Sequence, residues 1–491
     1  MTPLFFKPTD LNFQCMVPLL LLGALFVFHF VLEILRSPQS RTTGGFWTLL
    51  VSLSGALYLM VSPDQPVAKA VHQMWIYDGV TRVSSLVIFL CLAAVTLVVP
   101  KSIEKSGHLG EYYALLSGAA LGMVMLCGSN NLMVSFLALE LFSLALYLLC
   151  IFLPNLQTSQ ESGLKYFILS SLASALILYG MALIYGSTGS TWLHEIAGRV
   201  DQGGLVLMVG SALLAAGLAF KVSAVPFHLW APDVYQGAPT PVTAFMSVAT
   251  KAAALTAMLR YFPMTLGTAS SPSDIQRIQW WIILWSMAIL SMLFGNIMAL
   301  SQQNLKRMLA YSGIAQAGYL LAAVFVGSAT GKVTLYYYLL VYLCMNVGAF
   351  LVVAALEEVG EDLSLDSLAG LSMRQPQLSA ALAVFLFSLT GLPPTAGFIA
   401  KVQLFSTLLS ASGGLLPKYL VAAGLVGSLL SAGYYLKFVA QAYSPGPAPQ
   451  PKEELPLIYW AVIGAGVVGV FALSVWAEPT LIWLQGIVGP V

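Results

Sequence analysis

Charge is what this 491-residue sequence has least of: Asp, Glu, Lys and Arg together make up 8% of it, against roughly 25% in an ordinary globular protein. With 21 basic and 20 acidic side chains it is also nearly neutral, so it has no basic field to hold nucleic acid. Cysteine is scarce. Cys15, Cys91, Cys127, Cys150 and Cys344 stand singly in apolar stretches, without CxxC or CxxCH spacing, which suits helix packing and argues against haem, iron–sulfur and zinc sites. No GxxxxGK[ST] loop occurs; Gly331-Lys332 is followed by Val333, so ATP-driven transport has no support. HExxH, GxSxG and a GxGxxG followed by a strand are missing too. What is abundant is apolar surface, at 58% of residues and a mean hydropathy of +0.85. Both a soluble enzyme and a disordered scaffold are thereby excluded.

Crossing ~30 Å of hydrocarbon takes about 20 apolar residues. Fourteen such spans are predicted, near 11–35, 45–62, 79–99, 109–127, 132–153, 162–187, 203–235, 240–263, 278–300, 305–327, 331–357, 375–413, 418–443 and 457–485. The expectation is an all-α integral membrane bundle in a lipid bilayer, without a soluble domain. The first span is too long for a signal peptide and carries His29 and Glu33, so it reads as a retained helix. Arg36 and Arg41 after it favour both termini outside.

Two stretches are too long for one straight span and contain proline near the middle: 203–235 at Ala224-Val225-Pro226, and 375–413 at Thr390-Gly391-Leu392-Pro393-Pro394. Proline removes a donor and clashes with the carbonyl four residues back, so Val222 and Leu389 should carry freed carbonyls. Such backbone survives at membrane depth only where it is packed in protein or faces water. The breaks fall in the seventh and twelfth spans, as two five-helix repeats of opposite topology would place them. The expected organisation is an N-terminal three-helix segment over 1–108, a first repeat over 109–263, an inverted second repeat over 278–443, and a final helix over 457–485. Coincidence is the alternative, since proline is common in membrane helices.

A charged side chain at the centre of a membrane helix costs roughly 2.5 to 3.5 kcal/mol on insertion scales, so each needs a reason. Lys165, Lys221, Lys251 and Lys401 lie inside predicted spans, with Glu140 as their acidic counterpart, and His228 follows the first break. Burial favours a neutral amine and a nearby carboxylate favours the ammonium, so a carboxylate that approaches and retreats drives proton capture and release. On that reading Glu140 modulates Lys221, Lys251 relays and Lys401 exchanges the proton. The plain alternatives are a static Glu140–Lys221 ion pair, an interfacial anchor at Lys165 four residues after Glu161, and a packing histidine at His228. Lys306 and Arg307 read as loop charges, His29 and Glu33 as a local pair, and Tyr336-Tyr337-Tyr338 as lipid-interface anchors by default. Trp47, Trp75, Trp280, Trp281, Trp285 and Trp460 suit an interfacial belt.

The run from Lys221 to Val242, KVSAVPFHLWAPDVYQGAPTPV, resembles the signature of the antiporter-like membrane subunits of respiratory complex I. Lys165-Tyr166-Phe167, the run Asn304 to Ser312 and the run Leu389 to Phe398 resemble its subunit N, called chain 2 or B elsewhere. The resemblance covers about residues 110–440. It implies fourteen helices with discontinuous seventh and twelfth helices, and a proton-translocating subunit of an NADH-quinone oxidoreductase or a related donor's enzyme. It implies no redox centre in this chain; NADH or another donor, FMN, iron–sulfur clusters and quinone belong to partner subunits. By this similarity Glu140, Lys221, Lys251 and Lys401 match the family's titratable residues, with Lys165 and His228 secondary. A bacterial inner membrane is the expected location, among other membrane-arm subunits. A subunit of a multisubunit cation/proton antiporter is the alternative, and a structural or quinone-anchoring subunit is a third reading.

Overall fold

A computed structural model describes residues 13–35, 43–62, 68–70, 73–153, 156–265, 274–411, 414–446 and 455–489. Arg36 and Arg41 lie outside them. The chain is almost wholly helical, as a backbone in hydrocarbon must be when it has to satisfy its own polar groups. In chain order the main helices, short connecting turns aside, are α1 (Phe13–Leu35), α2 (Thr43–Val61), α3 (Gly79–Thr96), α4 (Leu109–Cys127), α5 (Leu132–Cys150), α6 (Gln157–Thr188) and α7a (Val200–Val222). There follow α7b (Ala231–Gly237), α8 (Thr240–Phe262), α9 (Asp274–Leu300), α10 (Leu305–Val326) and α11 (Ala329–Glu358). Last come α12a (Pro376–Thr390), α12b (Ala396–Ser410), α13 (Leu416–Ala442), α14 (Leu457–Val475) and α15 (Ala477–Val488). Among the described residues thirteen helices are long and apolar enough to cross a membrane, and the broken pair α12a and α12b supplies a fourteenth span. The expected final span over 457–485 is two helices: α14 ends at Val475, and α15 turns back against α11 and α3.

The helices form a bundle with α8, α10 and α11 innermost and α1, α2 and α14 at the periphery. Short connections and named caps set the boundaries. Asp78, Asn131, Asn304 and Ser328 each accept a backbone N–H of the helix they open, which satisfies donors left over at a helix start. Small residues let helices approach. On α6 and α7a, Gly180 faces Gly210 so closely that a Cβ on Gly180 would sit 2.5 Å from the Gly210 carbonyl oxygen.

Both breaks are built alike. α7a stops at Ser223 and α12a at Gly391, each in the left-handed conformation with φ of 62° and 88°. In each, the following residue's N–H also folds back: Ala224 to the Ala219 carbonyl, and Leu392 to the Phe387 carbonyl. These are helix stops of the Schellman kind, and the prolines two or three residues later cannot resume the helix. The Val225-Pro226 and Pro393-Pro394 bonds are cis. α8 and α11 each contain a π-helical turn, Met246–Thr250 and Leu343–Val347, joined where Asn346 donates to Ser247 Oγ at 2.6 Å.

Because the α6–α7a seam has no room for a side chain, Gly180→Val should lower the midpoint of thermal unfolding in mild detergent. The expected cost is about 1 to 3 kcal/mol, and an unchanged midpoint would show that the seam yields.

Candidate functional site

Lys221, one residue before the end of α7a, is 2% exposed. Its Nζ donates to Ser143 Oγ on α5 at 2.6 Å and to Ser170 Oγ on α6 at 2.7 Å. The rings of Phe142, Tyr166 and Phe220 surround it at 5.4, 6.0 and 5.8 Å from Nζ to centroid. Glu140 lies three residues before Ser143, hence on the same helix face. Glu140 and Lys221 do not meet: Glu140 Oε1 is buried without a hydrogen-bond partner, and no ion pair joins them among the described residues. A static ion pair is therefore excluded in this arrangement.

Lys251 follows directly on the π-helical turn of α8, is 1% exposed, and donates to the Gly313 carbonyl at 2.7 Å and to Tyr342 Oη at 3.2 Å. A π turn leaves its carbonyls out of register with the α ladder and re-aims the side chains beside it. Lys401 on α12b is 5% exposed and reaches back across the second break, donating to the Thr390 carbonyl at 2.7 Å with Nζ 5.1 Å from the Tyr319 ring centroid. One helix serves both lysines. α10 gives Gly313 to Lys251; three residues on, its Gln316 donates to the Leu389 carbonyl at 3.3 Å and accepts from Tyr338 Oη at 2.6 Å. Three further on, Tyr319 stacks on Tyr338 and lies under Lys401. The freed carbonyl expected at Leu389 is thus answered by Gln316.

His228, in the first break, is 6% exposed, stands edge-on to Phe294 at 4.7 Å, and has no partner for Nδ1. Ser223 Oγ and Asn346 Oδ1 are likewise buried and unpartnered. Buried polar atoms are normally satisfied by protein or by ordered water. Glu140, Ser223, His228 and Asn346 are therefore buried positions where ordered water is favoured over hydrocarbon.

Lys165 belongs elsewhere. It is 43% exposed and paired with Glu161 at 2.6 Å and Asp233 at 2.9 Å. Arg307 takes the other oxygen of Asp233 at 2.6 Å. Beside them Lys306, only 5% exposed, donates to the Ala238 carbonyl at 3.1 Å and to Glu357 Oε1 at 3.2 Å, and Thr240 donates to the other Glu357 oxygen. The reading of Lys306 and Arg307 as loop charges is corrected: they are the N-terminal clamp of α10 on α7b and α11. Glu161, Lys165, Asp233, Lys306, Arg307 and Glu357 line a cleft of about 530 Å³ on one face of the bundle. At its rim Ser364 and Ser367 donate to Asp362 and hold its carboxyl below the usual carboxylate range.

Some residues read one way in sequence, or not at all, stand out here. Tyr336, Tyr337 and Tyr338 are all buried, which overturns interface anchoring for them, and Trp75 is buried against Tyr77 and Gly128. Ser143, Ser170 and Gln316 gave no signal because a polar residue in a membrane helix is informative only once its neighbour is known. His29 bonds Thr48 Oγ1 on α2 at 2.7 Å. Among the described residues no three His, Cys, Asp or Glu side chains are grouped to hold a metal ion.

Residues 129–431 match the family described as NADH:quinone oxidoreductase/Mrp antiporter, TM. The chain is similar to the NADH-quinone oxidoreductase subunit N 2 of Sorangium cellulosum (strain So ce56), 40% identical over 428 residues that cover 83% of this chain and 84% of that one. It is also 35% identical over 483 residues to the NADH-quinone oxidoreductase subunit N of Anaeromyxobacter sp. (strain Fw109-5), 93% and 92% covered. Among solved structures, a chain of respiratory complex I from Thermus thermophilus with bound aureothin superposes with a TM-score of 0.79 at 33% identity, covering 95% of this chain and 99% of that one. A chain of the Mrp complex from Dietzia sp. DQ12-45-1b reaches a TM-score of 0.84 at 19% identity, covering 98% of each, which shows a shared fold.

Asp233 holds two cations from different helices, so Asp233→Ala should separate α7b from α10 at the cleft. A loss of about 1 kcal/mol in detergent stability is expected, shrinking as salt is raised. A loss independent of salt would point to packing instead of charge.

Proposed function

The chain is a member of the NADH:quinone oxidoreductase/Mrp antiporter transmembrane family, and from that membership we propose that it is the N-type membrane-arm subunit of a bacterial NADH-quinone oxidoreductase, an integral multi-pass protein of the inner membrane. It moves protons while quinone is reduced in other subunits. The observation that carries this reading is the placement of three buried amines, Lys221, Lys251 and Lys401, against the two helix breaks and the helix between them.

Protons are taken up through the charged cleft, where Lys165 and Asp233 organise the mouth, and pass to Lys221 beside the first break. Glu140 tunes that amine through space, Lys251 hands the proton along α10, and Lys401 releases it at the second break. His228 shares in the transfer between Lys221 and Lys251. Spans 4 to 8 and 9 to 13 act as two inverted repeats of five helices, over 109–263 and 278–443, after an N-terminal segment over 1–108; the matching left-handed helix stops support that division. Flavin, iron–sulfur clusters, NADH and quinone belong to partner subunits, and this chain supplies no redox group. A cation/proton antiporter subunit is the second reading. It shares the fold, but the relatives that cover most of this chain at 35% and 40% identity are oxidoreductase subunits by name.

In the assembled complex reconstituted into vesicles, Lys221→Met should abolish this subunit's share of donor-driven proton uptake, and Lys401→Met should do the same. Lys165→Met should cost much less, as an anchor would. Protons moved per electron that stay unchanged in Lys221→Met would refute the assignment.

A further inference from the structure

α8 begins at the cleft, where Thr240 bonds Glu357, and reaches Arg260 twenty residues later, a rise of about 30 Å. Arg260 therefore stands at the opposite face of the bundle. It is 11% exposed and held by three hydrogen bonds: Nε donates to the Cys127 carbonyl at 2.6 Å, and Nη2 to Asp78 Oδ1 at 2.7 Å and Thr81 Oγ1 at 2.6 Å. Four residues down α8, hence on the same side, Thr256 Oγ1 sits 2.7 Å from Ser84 Oγ and 3.0 Å from Tyr336 Oη. Ser84 and Tyr336 close the triangle at 3.0 Å, and all three residues are fully buried.

These groups are rungs of one ladder. α8 and α11 run antiparallel: Lys251 meets Tyr342, and five residues forward on α8 and six back on α11, Thr256 meets Tyr336. On α3, Asp78, Thr81 and Ser84 recur every third residue, which brings one face of that helix to Arg260 and Thr256. The rungs climb from the central amine, through a cluster of three hydroxyls, to an ion pair at the membrane face. A hydroxyl both donates and accepts, so three in mutual contact can pass a proton. A guanidinium cannot, because it never gives up its own proton and its fixed charge repels another.

We propose that Arg260, held in place by Asp78 and Thr81, is an electrostatic seal that closes a hydroxyl-lined passage running from Lys251 through Thr256, Tyr336 and Ser84 to the face opposite the cleft. The seal keeps protons from bypassing the route to Lys401. The N-terminal segment thereby has a task, since α3 supplies Asp78, Thr81 and Ser84. The inference rests on the reading of Lys251 as a proton carrier.

The test is passive proton leak, read as the decay of an imposed pH difference across vesicles that hold the whole complex without an electron donor. Asp78→Asn with Arg260→Gln removes both charges together, so neither is left buried alone, and asparagine still caps α3. This double variant should leak severalfold faster than the parent. Adding Thr256→Val and Tyr336→Phe should return the leak to the parent rate. A double variant as tight as the parent, or a leak that persists without the hydroxyls, would overturn the proposal. Arg260→Gln alone removes the guanidinium while Asp78 still caps α3, and must leak as well; a single variant as tight as the parent would overturn the proposal even if the double variant failed to assemble. Failure of the proton-carrier reading appears separately, as unchanged donor-driven pumping in Lys251→Met.

Discussion

A helix that stops inside hydrocarbon leaves backbone carbonyls and amides that water cannot reach, each costing several kcal/mol if unanswered. Much of the interior here answers two such stops. At the first, Trp230 donates to the Phe220 carbonyl at 2.9 Å and the Val225 N–H goes to Ser291 Oγ at 2.9 Å. At the second, Gln316 takes the Leu389 carbonyl and Lys401 the Thr390 carbonyl. One of the groups that satisfy the backbone is a buried amine, Lys401. Lys401 is held by the break, and Lys221 sits in the turn that ends α7a.

The same constraint explains why α10 is central. It is buried almost throughout, clamps the cleft with Lys306 and Arg307, offers Gly313 to Lys251, and turns Gln316 and Tyr319 toward the second break. The cleft carries the ion pairs of Lys165, Lys306 and Arg307, whereas towards the other end of α8 Arg260 is largely buried and paired with Asp78.

Spans, breaks and buried lysines were legible because each violates a strong rule: an uninterrupted apolar run, a proline in mid-span, a charge in hydrocarbon. What escaped were relations between helices. Glu140 was found, but its displacement from Lys221 by Ser143 and Ser170 depends on how α5, α6 and α7a rotate, which no periodicity fixes when all three are apolar around most of their circumference. The tyrosines at 336–338 look like interface anchors in one dimension and prove to be core because α11 runs through the middle of the bundle. Lys306 and Arg307 occupy a helix end, where charge is unremarkable until Glu357 and Asp233 arrive from distant parts of the chain.

A map of the intact complex at a resolution that reveals ordered water tests the central claim most directly. The account predicts a continuous file of water and side chains from the cleft past Lys221 and His228 to Lys251, and on by Gln316 to Lys401. A stretch of dry, close-packed apolar side chains between any two of those lysines, in every state of the turnover cycle, would contradict it.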